Sequence, residues 1–184
     1  MQIQRFDIDG PLLFTPRRFE DDRGYFSETF RQSIFEEAVG EAIHFVQDNQ
    51  SLSKVAGTIR GLHYQSPPHA QGKLVRCTQG AIMDVAIDAR KGSPTYGQSV
   101  SAELKPENAG QLWVPPGFLH GFATLENDTL LQYKCTDYYA ADCDGSVLWN
   151  DPDLNIDWGL GALTPTLSDK DANAPLFADF DSPF

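Results

Sequence analysis

Two segments of the chain carry side chains that could move protons. His63 lies three residues after Arg60 and ten before Lys73, which is a local concentration of positive charge in an acidic protein. A neutral imidazole is suited to proton abstraction near pH 7, and it usually works beside a carboxylate that fixes its tautomer. Tyr133, in a later apolar segment, becomes a candidate general acid if it faces the same cavity. Taken singly, a satisfied core histidine and a packed core tyrosine are the commoner alternatives.

Two other stretches resemble the paired motifs of the cupin jelly rolls. Residues 60–65 resemble the first motif, and residues 115–120 keep the Pro-x-Gly-x-x-His pattern of the second. Metal-binding cupins carry His-x-His and a Glu in the first motif, whereas His63 has no second histidine two residues on. A transition metal needs three or four converging N, O or S ligands, and besides His120 only His69 is near, in a proline-rich turn. The sequence therefore predicts no metal and no cofactor.

The segments around these residues are short runs of β-forming residues separated by glycine and proline. Such punctuation is typical of sandwiches and barrels with many short strands. We predict an all-β, double-sheet jelly roll (a cupin-like barrel) with a few short helices, formed by a single domain over residues 1–184. About eight to ten antiparallel strands are expected, at residues 24–30, 44–51, 57–64, 73–77, 81–88, 98–104, 111–114, 121–125 and 130–138.

Two short helices are expected beside the sheets. For the first, Ser33 is the predicted N-cap, Glu36 closes a capping box, and Gly40 ends the helix. The second is expected around residues 169–174.

Strand periodicity determines which of the candidate side chains can face the same cavity. In an ideal strand Arg60 and His63 point to opposite faces, so both reach one cavity only if the strand is bulged, for instance at Gly61. Alternation from residue 130 onward is expected to place four side chains on one face: Leu131, Tyr133, Cys135 and Tyr139.

The charge balance restricts the possible partners. The chain has 14 Lys and Arg against 26 Asp and Glu, a formal net charge of −12, which disfavours binding to nucleic acid. A substrate with phosphates would require the few basic residues to gather at one place. No apolar run is long enough to cross a membrane, and the first residues do not resemble a secretion signal, so a cytoplasmic location is expected. The odd number of cysteines (Cys77, Cys135 and Cys143) indicates reduced thiols.

Over essentially its whole length the chain resembles the dTDP-4-dehydrorhamnose 3,5-epimerase family. The resemblance lies in many blocks in one order: residues 22–28, 45–49, 60–65, 71–77, 113–122, 133–139, 148–152, 156–158 and 167–171. It implies conversion of dTDP-4-dehydro-6-deoxy-D-glucose to dTDP-4-dehydro-L-rhamnose, in dTDP-L-rhamnose biosynthesis, by proton removal and return at C3 and C5.

The resemblance also implies roles for individual residues. His63 would remove the proton, Asp171 would orient His63, and Tyr133 would return a proton from the opposite face of the sugar ring. Lys73 would stabilise the enolate. The choice of Asp171 over Asp169 depends on how residues 168–171 are aligned. The residues implied in substrate binding are Arg23, Glu28, Gln47, Asp48, Asn49, Arg60, Lys73, His120, Tyr139, Asp144 and Lys170, with Tyr139 stacking on thymine and Asp84 orienting His120.

The expected partners are a dTDP-linked 4-keto-6-deoxyhexose and a second copy of the chain, with neither nucleic acid nor membrane. In the homodimer implied by the resemblance, strands are exchanged, and Arg23 and Glu28 serve the neighbour's site. Three alternatives remain: an epimerase that acts at C3 alone, a non-catalytic sugar-binding cupin, and a metal-dependent cupin oxygenase.

Overall fold

Short strands separated by turns make up most of the computed structural model, which describes residues 1–184. The strands are β1 (Gln2–Arg5), β2 (Leu12–Thr15), β3 (Arg18–Asp21), β4 (Gly24–Ser27), β5 (Gln47–Ser53), β6 (Ile59–Gln65), β7 (Lys73–Gln79), β8 (Ile82–Asp88), β9 (Ser99–Leu104), β10 (Gln111–Val114), β11 (Phe118–Thr124), β12 (Thr129–Cys135) and β13 (Asp144–Ser146). The helices are α1 (Gln32–Val39) and α2 (Asp169–Ala172), with single 3₁₀ turns at Ala141–Cys143 and Phe177–Asp179. Neither α-helix has the length and apolar character needed to span a bilayer.

Two antiparallel sheets form the body of the molecule. One has six strands in the order β1-β2-β10-β7-β12-β5, and the other has five in the order β13-β6-β11-β8-β9. Strands β3 and β4 form a separate hairpin that joins neither sheet. Neighbours in a sheet are mostly distant in sequence, as is expected of a jelly roll rather than a simple meander. The predicted all-β double-sheet jelly roll is therefore confirmed.

The inner faces of the two sheets pack on one another. Val75 and Leu131 of the six-stranded sheet meet Ile82 and Ala86 of the five-stranded sheet in one apolar cluster, and Tyr133 packs against its edge. Fully burying such a side chain stabilises the fold by about 1.5–3 kcal/mol. The apolar cluster fills one part of the space between the sheets and leaves another part, around Tyr133, open for a site.

The outer faces of the sheets are covered differently. The C-terminal segment lays apolar side chains, among them Trp158 and Phe177, against the five-stranded sheet. Helix α1 inserts Phe35 beside Phe14 and Trp113 on the six-stranded sheet, with ring centroids 5.2 and 5.1 Å away. This packing fixes the position of a helix that is too short to be stable alone.

The N-terminus of α1 differs from the prediction. The residue at the N-cap is Arg31, which makes no side-chain capping bond, and Ser33 lies inside the helix, so the predicted Ser33 cap is wrong. Burial of Phe35 determines where the helix begins, because tertiary packing outweighs a capping preference of about 1 kcal/mol. The end at Gly40 is confirmed, with φ of 90° in the left-handed region.

Strand count and boundaries also differ from the prediction. Thirteen strands form, and four of them, β1, β2, β3 and β13, were not predicted. Strand β12 ends at Cys135 rather than near residue 138, because the next residue, Thr136, pairs through its N–H and its hydroxyl with Gly72. The expected helix near the C-terminus forms as α2.

Candidate active site

An irregularity in β6 brings two candidate side chains to the same cavity. His63 pairs with His120 of β11, and Arg60 pairs with Phe122, so β6 has one residue more than β11 between these pairs. The expected bulge is confirmed. Gly61 lies within it at φ 140°, and a Cβ there would be 2.5 Å from the Cα of Gly121. Only glycine fits this close approach of two backbones.

The cavity lies between the two sheets and has a volume of about 470 Å³. The five-stranded sheet contributes Arg60, His63, His120 and Phe122; the six-stranded sheet contributes Ser51, Lys73 and Tyr133; and the segment before and within α2 contributes Ser168, Lys170 and Asp171. A recess of about 130 Å³ adjoins it, sharing His63, Lys73 and Tyr133 and adding Gln47, Asn49, Tyr139 and Asp144. His63 thus lies on one wall, and Tyr133 and Lys73 lie on the other.

His63 is held by the carboxylate of Asp171. Its Nε2 lies 2.6 Å from Asp171 Oδ1, and Asp171 is buried. Burial alone would raise the pKa of Asp171, but hydrogen bonds from His63 and Ser168 lower it below its usual value. An ionised carboxylate only accepts hydrogen bonds, so Nε2 carries the hydrogen and Nδ1 keeps the lone pair. The Asp169 side chain is exposed, and the carboxylate bonded to His63 is that of Asp171.

A second histidine–carboxylate pair lies beside the first. His120 is directly opposite His63 in the β6–β11 pairing, and its Nε2 lies 2.8 Å from Oδ1 of Asp84. Asp84 is completely buried, and its other oxygen has no hydrogen-bond partner. The Asp84 carboxylate therefore holds the His120 ring by this hydrogen bond, the contact predicted from the sequence.

The opposite wall supplies a phenol and an ammonium group. Burial, followed by the nearby Cys135 thiol, raises the pKa of Tyr133, and the opposing effects of Asn49 and Arg60 are smaller. The phenol therefore keeps its proton at neutral pH and can donate it. Burial lowers the pKa of Lys73, and no acidic group lies within ion-pair distance of its Nζ. An ammonium group without a counter-ion is suited to binding a negative oxygen.

Most of the side chains predicted to bind substrate lie at this site. Arg60, Lys73, His120 and Lys170 line the cavity, and Gln47, Asn49, Tyr139 and Asp144 line the recess. Lys170 forms an ion pair with Asp144. Tyr139 reaches the recess from the loop after β12, with 62% of its surface exposed, and not from the strand face that alternation predicted.

Three predicted side chains lie elsewhere. Asp48 points to the outer face of the six-stranded sheet and pairs with Lys134 at 3.0 Å, because strand alternation turns it away from its inward neighbours Gln47 and Asn49. Arg23 bonds to Asp21 within the β3–β4 hairpin, and Glu28 pairs with Arg31 at 2.8 Å. The structure does not bring Arg23, Glu28 or Asp48 into the cavity of their own chain.

Seven residues that line the cavity were not assigned a role from the sequence: Ser51, Thr58, Ile59, Phe122, Thr166, Leu167 and Ser168. Ser51 has the same strand parity as Gln47 and Asn49, and Phe122 has the same parity as His120, so alternation could have found both. Ser168 lies at the N-cap of α2, three residues before Asp171, a spacing typical of capping. No group of three or more His, Cys, Asp or Glu side chains is arranged to hold a metal ion. The absence of a metal in the functional protein stays a prediction.

The chain is similar in sequence to one family of known proteins. The profile of the family described as dTDP-4-dehydrorhamnose 3,5-epimerase matches residues 5–179. A dTDP-4-dehydrorhamnose 3,5-epimerase of Sinorhizobium fredii is 53% identical over 175 residues, which cover 95% of this chain and 89% of the relative.

Solved structures show the same likeness. The dTDP-6-deoxy-D-glucose-3,5-epimerase of Legionella pneumophila, in complex with dTDP-4-keto-L-rhamnose, has a TM-score of 0.92 at 46% identity over 98% of this chain and 94% of the other. A 3′-monoepimerase of Streptomyces bikiniensis, in complex with dTDP-quinovose, has a TM-score of 0.88 at 36% identity over 94% and 86%. The family model covers most of the chain and the relatives match it in sequence and in fold, so the chain belongs to the dTDP-4-dehydrorhamnose 3,5-epimerase family.

Proposed function

We propose that this protein converts dTDP-4-dehydro-6-deoxy-D-glucose into dTDP-4-dehydro-L-rhamnose by inverting C3 and C5. The observation that carries the proposal is one cavity with the His63–Asp171 pair on one wall and Tyr133 on the other. Inversion requires a base and an acid on opposite faces of the sugar ring, and the two walls supply them.

The first step is removal of a proton from a carbon beside the C4 ketone. Nδ1 of His63 takes the proton, and the electrons of the C–H bond move onto the ketone oxygen to form an enolate. The imidazolium that results is stabilised by the Asp171 carboxylate at Nε2. The enolate oxygen gains negative charge in the transition state, where the unpaired ammonium of Lys73 is suited to stabilise it.

The second step returns a proton from the other wall. Tyr133 donates its hydroxyl proton to the same carbon, and the enolate electrons form the new C–H bond as the ketone is restored. His63 is left with one proton more and Tyr133 with one fewer. Exchange with water through the cavity mouth resets both groups before the second carbon reacts. C3 and C5 flank the same ketone, so the same two groups serve both.

The recess and the cavity mouth fit the dTDP part of the substrate. Arg60 and Lys170 concentrate positive charge in a protein of net charge −12, as a diphosphate requires. The exposed ring of Tyr139 offers a stacking surface for thymine, and the amides of Gln47 and Asn49 offer hydrogen bonds to its edge.

We further propose a homodimer in which the β3–β4 hairpin completes the neighbour's site. The hairpin joins neither sheet of its own chain and exposes 52% of Phe19 and 71% of Phe26. Apolar rings with this exposure are typical of a surface that another chain covers. Arg23 lies in the hairpin turn and Glu28 follows β4, so both would reach the neighbouring cavity with it.

Mixing two inactive variants tests this arrangement. Arg23→Ala chains and His63→Ala chains are unfolded together, refolded and assayed. If Arg23 serves the neighbour, one site of each mixed dimer is intact and about a quarter of the wild-type activity returns. If Arg23 serves its own chain, the mixture stays inactive.

A C3-only epimerase is the second candidate, favoured by the likeness to the Streptomyces bikiniensis 3′-monoepimerase. Incubation with dTDP-4-dehydro-6-deoxy-D-glucose in deuterated water separates the two, with C3 and C5 observed by proton NMR. Label at both carbons supports the proposal, and label at C3 alone selects the narrower enzyme. No label at either carbon, with dTDP still bound, would indicate a non-catalytic sugar-binding protein.

A further inference from the structure

The carboxylate of Asp171 is held by more than His63. The hydroxyl of Ser168 donates a hydrogen bond to Asp171 Oδ2 over 2.8 Å and accepts one from the backbone N–H of Asp171 over 3.2 Å. One hydroxyl therefore binds the backbone and the side chain of the same residue. The oxygen that it binds is the one that His63 leaves free.

Ser168 is itself fixed with respect to the strand that carries His63. The segment before it pairs in parallel with the start of β6, where Thr58 lies opposite Thr166 and the N–H of Ile59 donates to the carbonyl of Thr166 over 2.9 Å. Helix α2 then begins at Asp169 with Ser168 as its N-cap. A helix of four residues has little stability of its own, so its first turn depends on these attachments.

We infer that Ser168 is a positioning residue for epimerisation: its hydroxyl fixes Asp171 so that Oδ1 faces Nε2 of His63. The inference rests on the proposed function, because the role of Asp171 is to stabilise the imidazolium that forms during proton removal. Without the hydroxyl, the carboxylate keeps only His63 and, with the smaller effect, the backbone N–H of Gly61 as donors, so it can turn and carry Oδ1 away from Nε2 of His63.

The position of Ser168 determines which kinetic constant it affects. The stabilisation of the imidazolium by Asp171 increases only as the proton moves to His63, that is, in the transition state. Loss of an interaction of this kind lowers kcat and leaves KM nearly unchanged. A role of Ser168 in binding substrate would raise KM instead.

Three substitutions separate the hydroxyl donor from the helix cap. Ser168→Ala removes both the donor and the cap, whereas Ser168→Gly removes the donor but costs the cap only a few tenths of a kcal/mol compared with serine. Ser168→Thr keeps both. Asn173→Ala is the matched control. The amide of Asn173, the C-cap of α2, donates to the carbonyl of Asp169 over 2.7 Å, and the Asn173 side chain neither bonds to the Asp171 carboxylate nor lines the cavity.

The experiment measures kcat and KM for the keto-sugar with each full-length variant. We expect kcat to fall about tenfold in Ser168→Ala and Ser168→Gly, with wild-type KM, because a hydrogen bond to a charged group is lost. Ser168→Thr and Asn173→Ala should stay within about twofold of the wild type.

Three outcomes would overturn the inference: unchanged kcat in both the Ala and Gly variants, a loss in Ala that Gly does not share, or an equal loss in Asn173→Ala. A rise in KM without a fall in kcat would also overturn it, because it would assign Ser168 to substrate binding. A wild-type enzyme with no epimerase activity would instead refute the proposed function, so the two failures are distinguishable.

Discussion

Two buried carboxylates of this protein have lowered pKa values, yet only one of them lies at a place where chemistry can occur. Asp88, at the end of β8, is completely buried and accepts hydrogen bonds from Arg90, Ser93 and Thr95 over 2.6–3.0 Å. Asp171 is likewise buried and bonded, to His63 and Ser168.

The two carboxylates differ in whether a hydrogen-bond partner can still take up a proton. The partners of Asp88 only donate hydrogen bonds to it, and none of them is a base; Arg90, Ser93 and Thr95 border a surface cavity, but the Asp88 carboxylate does not. The partner of Asp171 is an imidazole whose second nitrogen remains free, with 30% of the His63 side chain exposed at the cavity. A closed network of hydrogen bonds fixes structure, whereas a network with one unpaired basic atom facing open space can take a proton. Substitutions at the two places should therefore separate activity from stability.

The largest effect is expected for His63→Ala. Loss of the base should lower kcat by about 10³-fold or more, because His63 is the histidine that Asp171 holds at the cavity. The free energy of unfolding should change little, since the side chain is partly exposed. Steady-state kinetics with urea unfolding of the same sample check both. A His63 variant with normal turnover would exclude the assigned base.

Asp88→Asn should show the opposite pattern. Removing the charge leaves Arg90 without its partner and should lower the free energy of unfolding by about 2–3 kcal/mol. This loss is smaller than that for a fully buried ion pair, because Arg90 is partly exposed. The kcat of the folded fraction should be that of the wild type. Asp181→Asn, at an ion pair whose carboxylate is 93% exposed, is the control and should leave stability unchanged. A large fall in kcat for Asp88→Asn would show that the two regions are coupled.

Asp171→Asn should affect activity less than loss of the base itself. The amide cannot stabilise the imidazolium, and it can bind the wrong tautomer of His63, so kcat should fall about 10²-fold. The measurement is kcat with dTDP affinity as control, because nucleotide binding should be retained. A fall in dTDP affinity with unchanged kcat would place Asp171 among the binding residues instead.

The smallest effect is expected for the pH dependence of the stabilisation that Asp88 gives to the folded state. Burial opposes ionisation of Asp88, but the hydrogen bonds from Arg90, Ser93 and Thr95 outweigh it and hold its pKa well below the usual range. Protonation therefore favours the unfolded chain. The stabilisation is present above the unfolded pKa of about 3.9 and decreases as the pH falls below it. The difference in unfolding free energy between wild type and Asp88→Asn should narrow from pH 6 to pH 3, and a constant difference would contradict the assignment.

Much of the architecture follows from local pattern. The short intervals between glycine and proline residues predicted the jelly roll. Strand alternation would place Arg60 and His63 on opposite faces, and this predicted the bulge at Gly61. Both predictions rest on residues that are close together in the sequence. The start of α1 was missed because it depends on the packing of Phe35 against Trp113, which is distant in sequence.

The same distinction applies to the site. Residues on the inward faces of strands could be assigned from alternation, and Asp48 would have been excluded by the parity of Gln47 and Asn49. Arg23 and Glu28 could not be placed, because the β3–β4 hairpin has no contact within its own chain that fixes it against the cavity. In the proposed homodimer their placement depends on a second chain, and no local sequence pattern encodes that.

In the proposed mechanism, one wall of the cavity removes the proton and the other wall returns it. Tyr133→Phe in deuterated water tests it directly, with label at C3 and C5 and inverted product followed by NMR in the same sample. Because His63 and Asp171 remain, the variant should still exchange label into the substrate while forming little or no inverted product. Inverted product formed at the wild-type rate would contradict the claim.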